Sequence, residues 1–125
     1  MRLLLDSHAL LWALHAPELL SSVAAQQIRD ARNVVYFSAA SAWELELKAA
    51  KGKLRLPDNW LDVAVETGFM HLPIGADICR LSARLPWHHA DPFDRLLVAQ
   101  AMHDELTLAT RDAWLSKYDV TVLPA

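Results

Sequence analysis

The sequence predicts an α/β fold in which a mostly parallel sheet of five strands is covered by helices on both faces. Three observations carry this expectation. Short apolar segments alternate with longer helical stretches along the whole chain. The connections between the strand-like segments are long enough for right-handed crossovers. No Gly/Ser linker, repeat or low-complexity tract divides the 125 residues, so a single domain spanning 1–125 accounts for the chain.

The elements follow in order. Arg2 to Leu5 reads as the first strand, followed by a strongly apolar helix from Ser7 to Leu14 and a second from Ser22 to Ala31. Val34 to Phe37 is rich in β-branched and aromatic residues and forms the second strand. A helix from Ala42 to Lys51 ends at Gly52, with Pro57 soon after. Asp58 is expected to cap a helix reaching Thr67, with Gly68 as its stop, and Met70 to Ile74 forms the third strand. A helix from Asp77 to Leu85 halts before Pro86. Asp91-Pro92 then opens a helix running to Asp104, because aspartate caps a helix and proline suits its first turn. Leu106 to Ala109 and Val120 to Leu123 complete the sheet, with a short helix Ala113 to Lys117 between them.

Composition bounds the function. With 54% hydrophobic and 22% charged residues the chain is globular, not disordered. Its single cysteine, Cys79, forbids an intrachain disulfide and fits a reducing cytoplasm. Asp6 and His8 interrupt the apolar start too early for a signal peptide, and no uncharged stretch is long enough for a bilayer, so a soluble protein is expected. A net charge of −3 excludes simple electrostatic capture of nucleic acid. A chain that acts on a polynucleotide must then bring in positive charge, either as metal ions or as a basic partner protein.

Four acids are placed where chemistry is expected, beyond the carboxyl ends of parallel strands. Asp6 follows the first strand and Asp112 the fourth, whereas Glu44 and Asp94 fall in the first turns of two helices. Each has an ordinary reading. Asp6 or Ser7, and Asp112 or Thr110, could cap helices, and Ser41-Ala42-Trp43-Glu44 matches a capping box. Glu44 could pair with Lys48, and Asp94 could complement a helix dipole. Jointly these readings weaken, because Asp94 continues the buried stripe of Leu97, Val98 and Ala101. Converging carboxylates repel unless a cation or a raised pKa relieves them. Oxygen clusters of this kind select Mg²⁺ or Mn²⁺, which activate water and stabilise in-line displacement at phosphorus.

The segments carrying these acids resemble the PIN domain family, and within it the VapC-type toxins of toxin–antitoxin pairs. They are Leu4-Leu5-Asp6-Ser7-His8, then Ser41-Ala42-Trp43-Glu44-Leu45 with Lys48, Gly52, Lys53 and Leu54. His89-Ala90-Asp91-Pro92-Phe93-Asp94-Arg95-Leu96-Leu97-Val98-Ala99-Gln100-Ala101 is the most specific, and Leu108-Ala109-Thr110-Arg111-Asp112 the last. The resemblance implies a three-layer α/β/α fold with a five-stranded parallel sheet. It also implies an endoribonuclease dependent on Mg²⁺ or Mn²⁺, with Asp6, Glu44, Asp94 and Asp112 as its acids. Asp6 and Asp94 would be the principal ligands, with the hydroxyls of Ser7 and Thr110 in support. Asp91 is open between such a support and the N-cap of the helix from Pro92, and Arg95 joins the supporting residues only from its place beside Asp94. A cognate antitoxin is implied as partner, with RNA as substrate.

Rival readings are a Mg²⁺-dependent phosphohydrolase, a phospho-acceptor domain and a non-catalytic interaction module. The first wants a second acid two residues after Asp6, where His8 stands; the second wants a lysine where only Arg111 and Lys117 are near. His88-His89 reads as a solvated loop pair, since no zinc-ligand spacing is present. Arg95 and Arg111 are expected to touch phosphate or to balance local charge. Most of the five tryptophans are expected in the core, and the first helix, apolar nearly all round, suggests a dimer or antitoxin interface.

Overall fold

The computed structural model describes all residues, 1–125. Its five strands are β1 (Arg2–Leu5), β2 (Val34–Ser38), β3 (Met70–Leu72), β4 (Thr107–Thr110) and β5 (Val122–Pro124). They pair in the order β3-β2-β1-β4-β5, and every pair is parallel. The helices are α1 (Ser7–His15), α2 (Ser22–Arg29), α3 (Ala39–Ala50), α4 (Trp60–Glu66), α5 (Ala76–Arg84) and α6 (Pro92–Asp104), with 3-10 turns at Pro17–Leu19 and Ala113–Lys117. No helix is long and apolar enough to cross a membrane.

The central strand shows why the sheet is covered on both sides. Leu3 and Leu5 pack with Val35, Phe37, Ala109, Ala9, Leu10, Ala24, Trp60 and Ala64 on one face. Leu4, pointing the other way, packs with Ile78, Leu97, Val98, Leu108 and Leu115. A strand buried on both faces reads as a continuous apolar run, and Leu3-Leu4-Leu5 is one. The two layers of helices and the sheet between them form a three-layer α/β/α fold.

Several boundaries differ from the sequence expectation, each for a physical reason. The third strand stops at Leu72, because Pro73 has no N–H to continue the ladder. Leu106 is drawn into the end of α6, its N–H bonded to the Ala101 carbonyl at 2.8 Å, so the fourth strand begins at Thr107. Glu105 makes the reversal in the left-handed region, φ 56°. Asp58 does not cap the fourth helix, which begins at Trp60 after Asn59. Only Trp60 of the five tryptophans is fully buried; Trp43, Trp87 and Trp114 are exposed, and Trp12 is half-buried.

The largest difference concerns α3. It starts at Ala39, not Ala42, and its cap is Ser38, whose Oγ accepts from the Ala40 N–H at 2.9 Å. The Ser38 hydroxyl also donates to Oε1 of the buried Gln100, which in turn bonds the carbonyls of Leu72 (3.4 Å) and Pro73 (3.2 Å). One polar side chain of α6 therefore ties the ends of β2 and β3 to the start of α3. This fixes α3 against α6, and those two helices carry Glu44 and Asp94.

Candidate active site

The chain leaves β1 toward β2 and β3, then crosses to the other side for β4 and β5, so the topological switch lies beside β1. In such sheets the crevice outside the strand carboxyl ends is the natural ligand position. Here it is a cleft of about 250 Å³ lined by Asp6, Ser7, His8, Glu44, Lys48, Asp91, Asp94, Arg111 and Asp112, with no apolar side chain. The structure thus brings all four sequence-predicted acids together, with Ser7 and Asp91 beside them.

Each acid is held differently. Asp6 follows β1 and caps α1: Oδ1 accepts from the Ala9 N–H at 2.8 Å, and Oδ2 accepts from the Thr110 hydroxyl at 2.6 Å. Thr110 ends β4, and its oxygen also accepts the Asp112 N–H at 3.0 Å, so one hydroxyl couples two of the acids. Asp112 caps the last 3-10 turn, Oδ1 accepting from Trp114 N–H at 3.0 Å. Asp91 caps α6, its Oδ1 accepting from the N–H groups of Phe93 (2.8 Å) and Asp94 (3.2 Å).

Glu44 is not a cap. Because α3 begins at Ala39, Glu44 lies in its second turn, and the capping box with Ser41 does not form; the buried Ser41 hydroxyl has no partner. Glu44 instead accepts from the Ser7 hydroxyl at 2.5 Å and from Lys48 Nζ at 2.8 Å, which raises the lysine pKa. The i,i+4 pair with Lys48 is therefore present, but inside the cleft.

Asp94 has no hydrogen-bond donor in the protein; His89 Nε2 stands 3.6 Å from its Oδ2. Burial, then Asp91, Asp6 and Glu44, push its pKa up to about 7 against the pull of His89. Burial likewise raises Asp6, despite the bonds from Thr110 and Ala9. Five carboxylates thus face two fixed cations, Lys48 and Arg111. The donors are oxygens on a partly buried, electronegative surface, which fits a hard divalent cation.

Two expectations are corrected. Arg95 does not reach the cleft: its buried guanidinium bonds the carbonyls of Ser82, Leu85, Pro86 and His89 and lies 3.6 Å from the Trp87 ring centroid. His89 is not a solvated loop residue, since its Nε2 lies 2.7 Å from Asp112 Oδ2. Sequence spacing gave no sign of it, because its partner is 23 residues away. Arg111 does line the cleft, stacked over Trp12 at 4.4 Å.

A carboxyl group whose folded pKa is raised holds its proton more tightly in the folded chain. It costs nothing below its unfolded pKa of 3.8 and its full penalty above about 7. The metal-free protein is therefore expected to melt roughly 5 °C or more higher at pH 5.5 than at pH 8. Asp94→Asn should flatten that dependence and raise the melting temperature at pH 8. Melting curves of both proteins check this; a mutant less stable than wild type at pH 8 contradicts it.

The family model for the PIN domain matches residues 3–120. No curated protein matches the sequence. Among solved structures, the chain is similar to one in the crystal structure of VapBC2 from Rickettsia felis bound to a DNA fragment from their promoter. The TM-score is 0.73 at 13% identity, covering 100% of this chain and 99% of that one. It is also similar to a chain in the crystal structure of FitAcB from Neisseria gonorrhoeae, with TM-score 0.61, 24% identity, and 97% and 96% of the two chains covered. A model match across nearly the whole chain, on a sheet of the same architecture, places this protein in the PIN domain family.

Proposed function

We propose that this PIN domain is a divalent-metal-dependent endoribonuclease, and the toxin of a toxin–antitoxin pair. Asp6, Glu44, Asp94 and Asp112 would hold Mg²⁺ or Mn²⁺. The observation that carries this reading is Asp94, a half-buried carboxylate with no hydrogen-bond donor among four others, its pKa pushed up to about 7 by burial and by its acidic neighbours. Choice of RNA as substrate rests on the resemblance of the four motif segments to VapC-type toxins.

The chain's own residues have distinct tasks. Thr110 and the α1 N-terminus hold Asp6 in one orientation, and Ser7 and Lys48 do the same for Glu44. Lys48, Arg111 and His8 line the cleft and offer phosphate contacts that the acids alone would repel. A bound divalent ion supplies Lewis-acid stabilisation of the phosphoryl oxygens and an activated water. The other readings fit less well. Both oxygens of Asp6 accept hydrogen bonds, which disfavours it as the free nucleophile of a phosphatase. An interaction module whose acids are all caps does not explain Asp94 or Glu44.

An antitoxin partner is supported by the same resemblance and by the likeness in fold to chains of the VapBC2 and FitAcB structures. An acidic cleft of this size suits an arginine or lysine inserted from that partner, which would substitute for the missing positive charge. Association with the partner or a second copy would draw on exposed apolar side chains such as Leu61 and Val65, one turn apart on α4. The protein would then work in the cytoplasm, where RNA and partner are made.

Purified protein should cleave mixed RNA in Mn²⁺ or Mg²⁺ and stop on chelation. Asp6→Asn and Asp94→Asn should each lose at least about two orders of magnitude in rate while melting cooperatively. Full cleavage by either folded mutant contradicts the assignment. Expression with its native neighbouring genes should yield a complex with a small basic protein that suppresses cleavage; a chain that purifies alone and stays active beside its neighbours contradicts the toxin reading.

A further inference from the structure

His89 stands at the acid cluster without being an acid. Its Nε2 and oxygens of Asp94 and Asp112 lie within 4.8 Å of one another, close enough for all three to share a cation. The ring is nevertheless built into the fold as a donor. Its Nδ1 accepts the Asp91 backbone N–H at 3.1 Å, so the imidazole carries its proton on Nε2. That nitrogen lies 2.7 Å from Asp112 Oδ2, and a lone pair for a metal is absent there.

The loop around it is pinned as well. The His89 N–H donates to the Tyr118 hydroxyl at 3.0 Å, and its carbonyl accepts from Arg95 Nη1 at 3.1 Å. Tyr118 donates to the Pro86 carbonyl at 2.8 Å, and the Arg95 guanidinium is packed on Trp87. Moving the proton to Nδ1, which would free the Nε2 lone pair for a cation, would set Nδ1–H against the Asp91 N–H, donor facing donor. Buried polar groups resist such mismatches.

We infer that His89 is a positioning residue and not a cation ligand: its Nε2–H fixes the Asp112 carboxylate and leaves an all-oxygen donor set. This deepens the proposed function and rests on the cleft being a cation site. Asp112 is then held at both oxygens, by His89 and by the Trp114 N–H. An all-oxygen site keeps hard ions such as Mg²⁺ competitive, whereas an imidazole ligand would favour softer ones.

Two measurements decide it. Ring ¹⁵N spectra, with the His89 signals identified by their loss in His89→Gln, should show the Nε2–H tautomer in both metal-free and Mg²⁺-loaded protein. A proton on Nδ1 in either state overturns the inference. Calorimetric titration with Mn²⁺ should find His89→Gln, whose amide can donate from a similar place, within about threefold of wild type. His89→Ala should bind about tenfold more weakly. Alanine binding as tightly as wild type, or glutamine no better than alanine, also overturns it. Melting curves show whether each variant is folded. A wild-type protein that takes up no divalent ion defeats the cation reading of the cleft, while the tautomer still decides the role of His89.

Discussion

Five carboxylates around one cleft, set against only two fixed cations, are the constraint to which the rest of this structure answers. Like charges in a partly buried site repel strongly, and each must be offset locally or lose its charge. The fold offsets most of them. Asp6, Asp91 and Asp112 each sit at a helix or 3-10 N-terminus, where backbone N–H groups favour negative charge. Glu44 is paired with Lys48. Asp94 alone is left without a donor, and its burial, together with the repulsion of Asp91, Asp6 and Glu44, appears in its raised pKa. Asp94 and Glu44 are what distinguish the cleft from a collection of caps.

Holding such a cluster in place requires rigid support, and the support comes from distant parts of the chain. Thr110 joins Asp6 to Asp112 across adjacent strands β1 and β4. Gln100 ties α3 to α6, which sets Glu44 against Asp94. Arg95 gathers four carbonyls from the end of α5 and the loop before α6 and so fixes the approach of His89 and Asp91. A buried guanidinium is tolerated because its donors are satisfied, and its removal would strand those carbonyls in a dry interior. Stability and site geometry therefore depend on the same few polar side chains.

Much of this was legible in the sequence because it is encoded locally. Apolar runs such as Leu3-Leu4-Leu5 mark buried parallel strands, and Asp91-Pro92 marks the start of α6, whose bounds agree with the structure. The gathering of Asp6, Asp94 and Asp112 followed from their places at strand and helix ends and from the family resemblance, whereas Glu44, expected in a first turn, joins them from the second turn of α3. What was missed depends on distant partners. The sequence pointed to Ser41 as the cap of α3; the cap is Ser38, whose hydroxyl is also engaged by Gln100, 62 residues away. Arg95, next to a proposed ligand in sequence, turns away from the cleft to four carbonyls of α5 and the loop after it. Trp43, Trp87 and Trp114 are exposed, Trp87 lying against the Arg95 guanidinium and Trp114 against Lys117 Nζ.

The central claim is that the uncompensated charge of this cleft exists to hold a divalent cation. It is tested most directly by the anomalous-difference map of a crystal grown with Mn²⁺. A peak between Asp6 and Asp94, about 2.1 Å from a carboxylate oxygen of each, is the predicted result. An ordered cleft with no peak at saturating Mn²⁺, or manganese bound only outside it, would contradict the account.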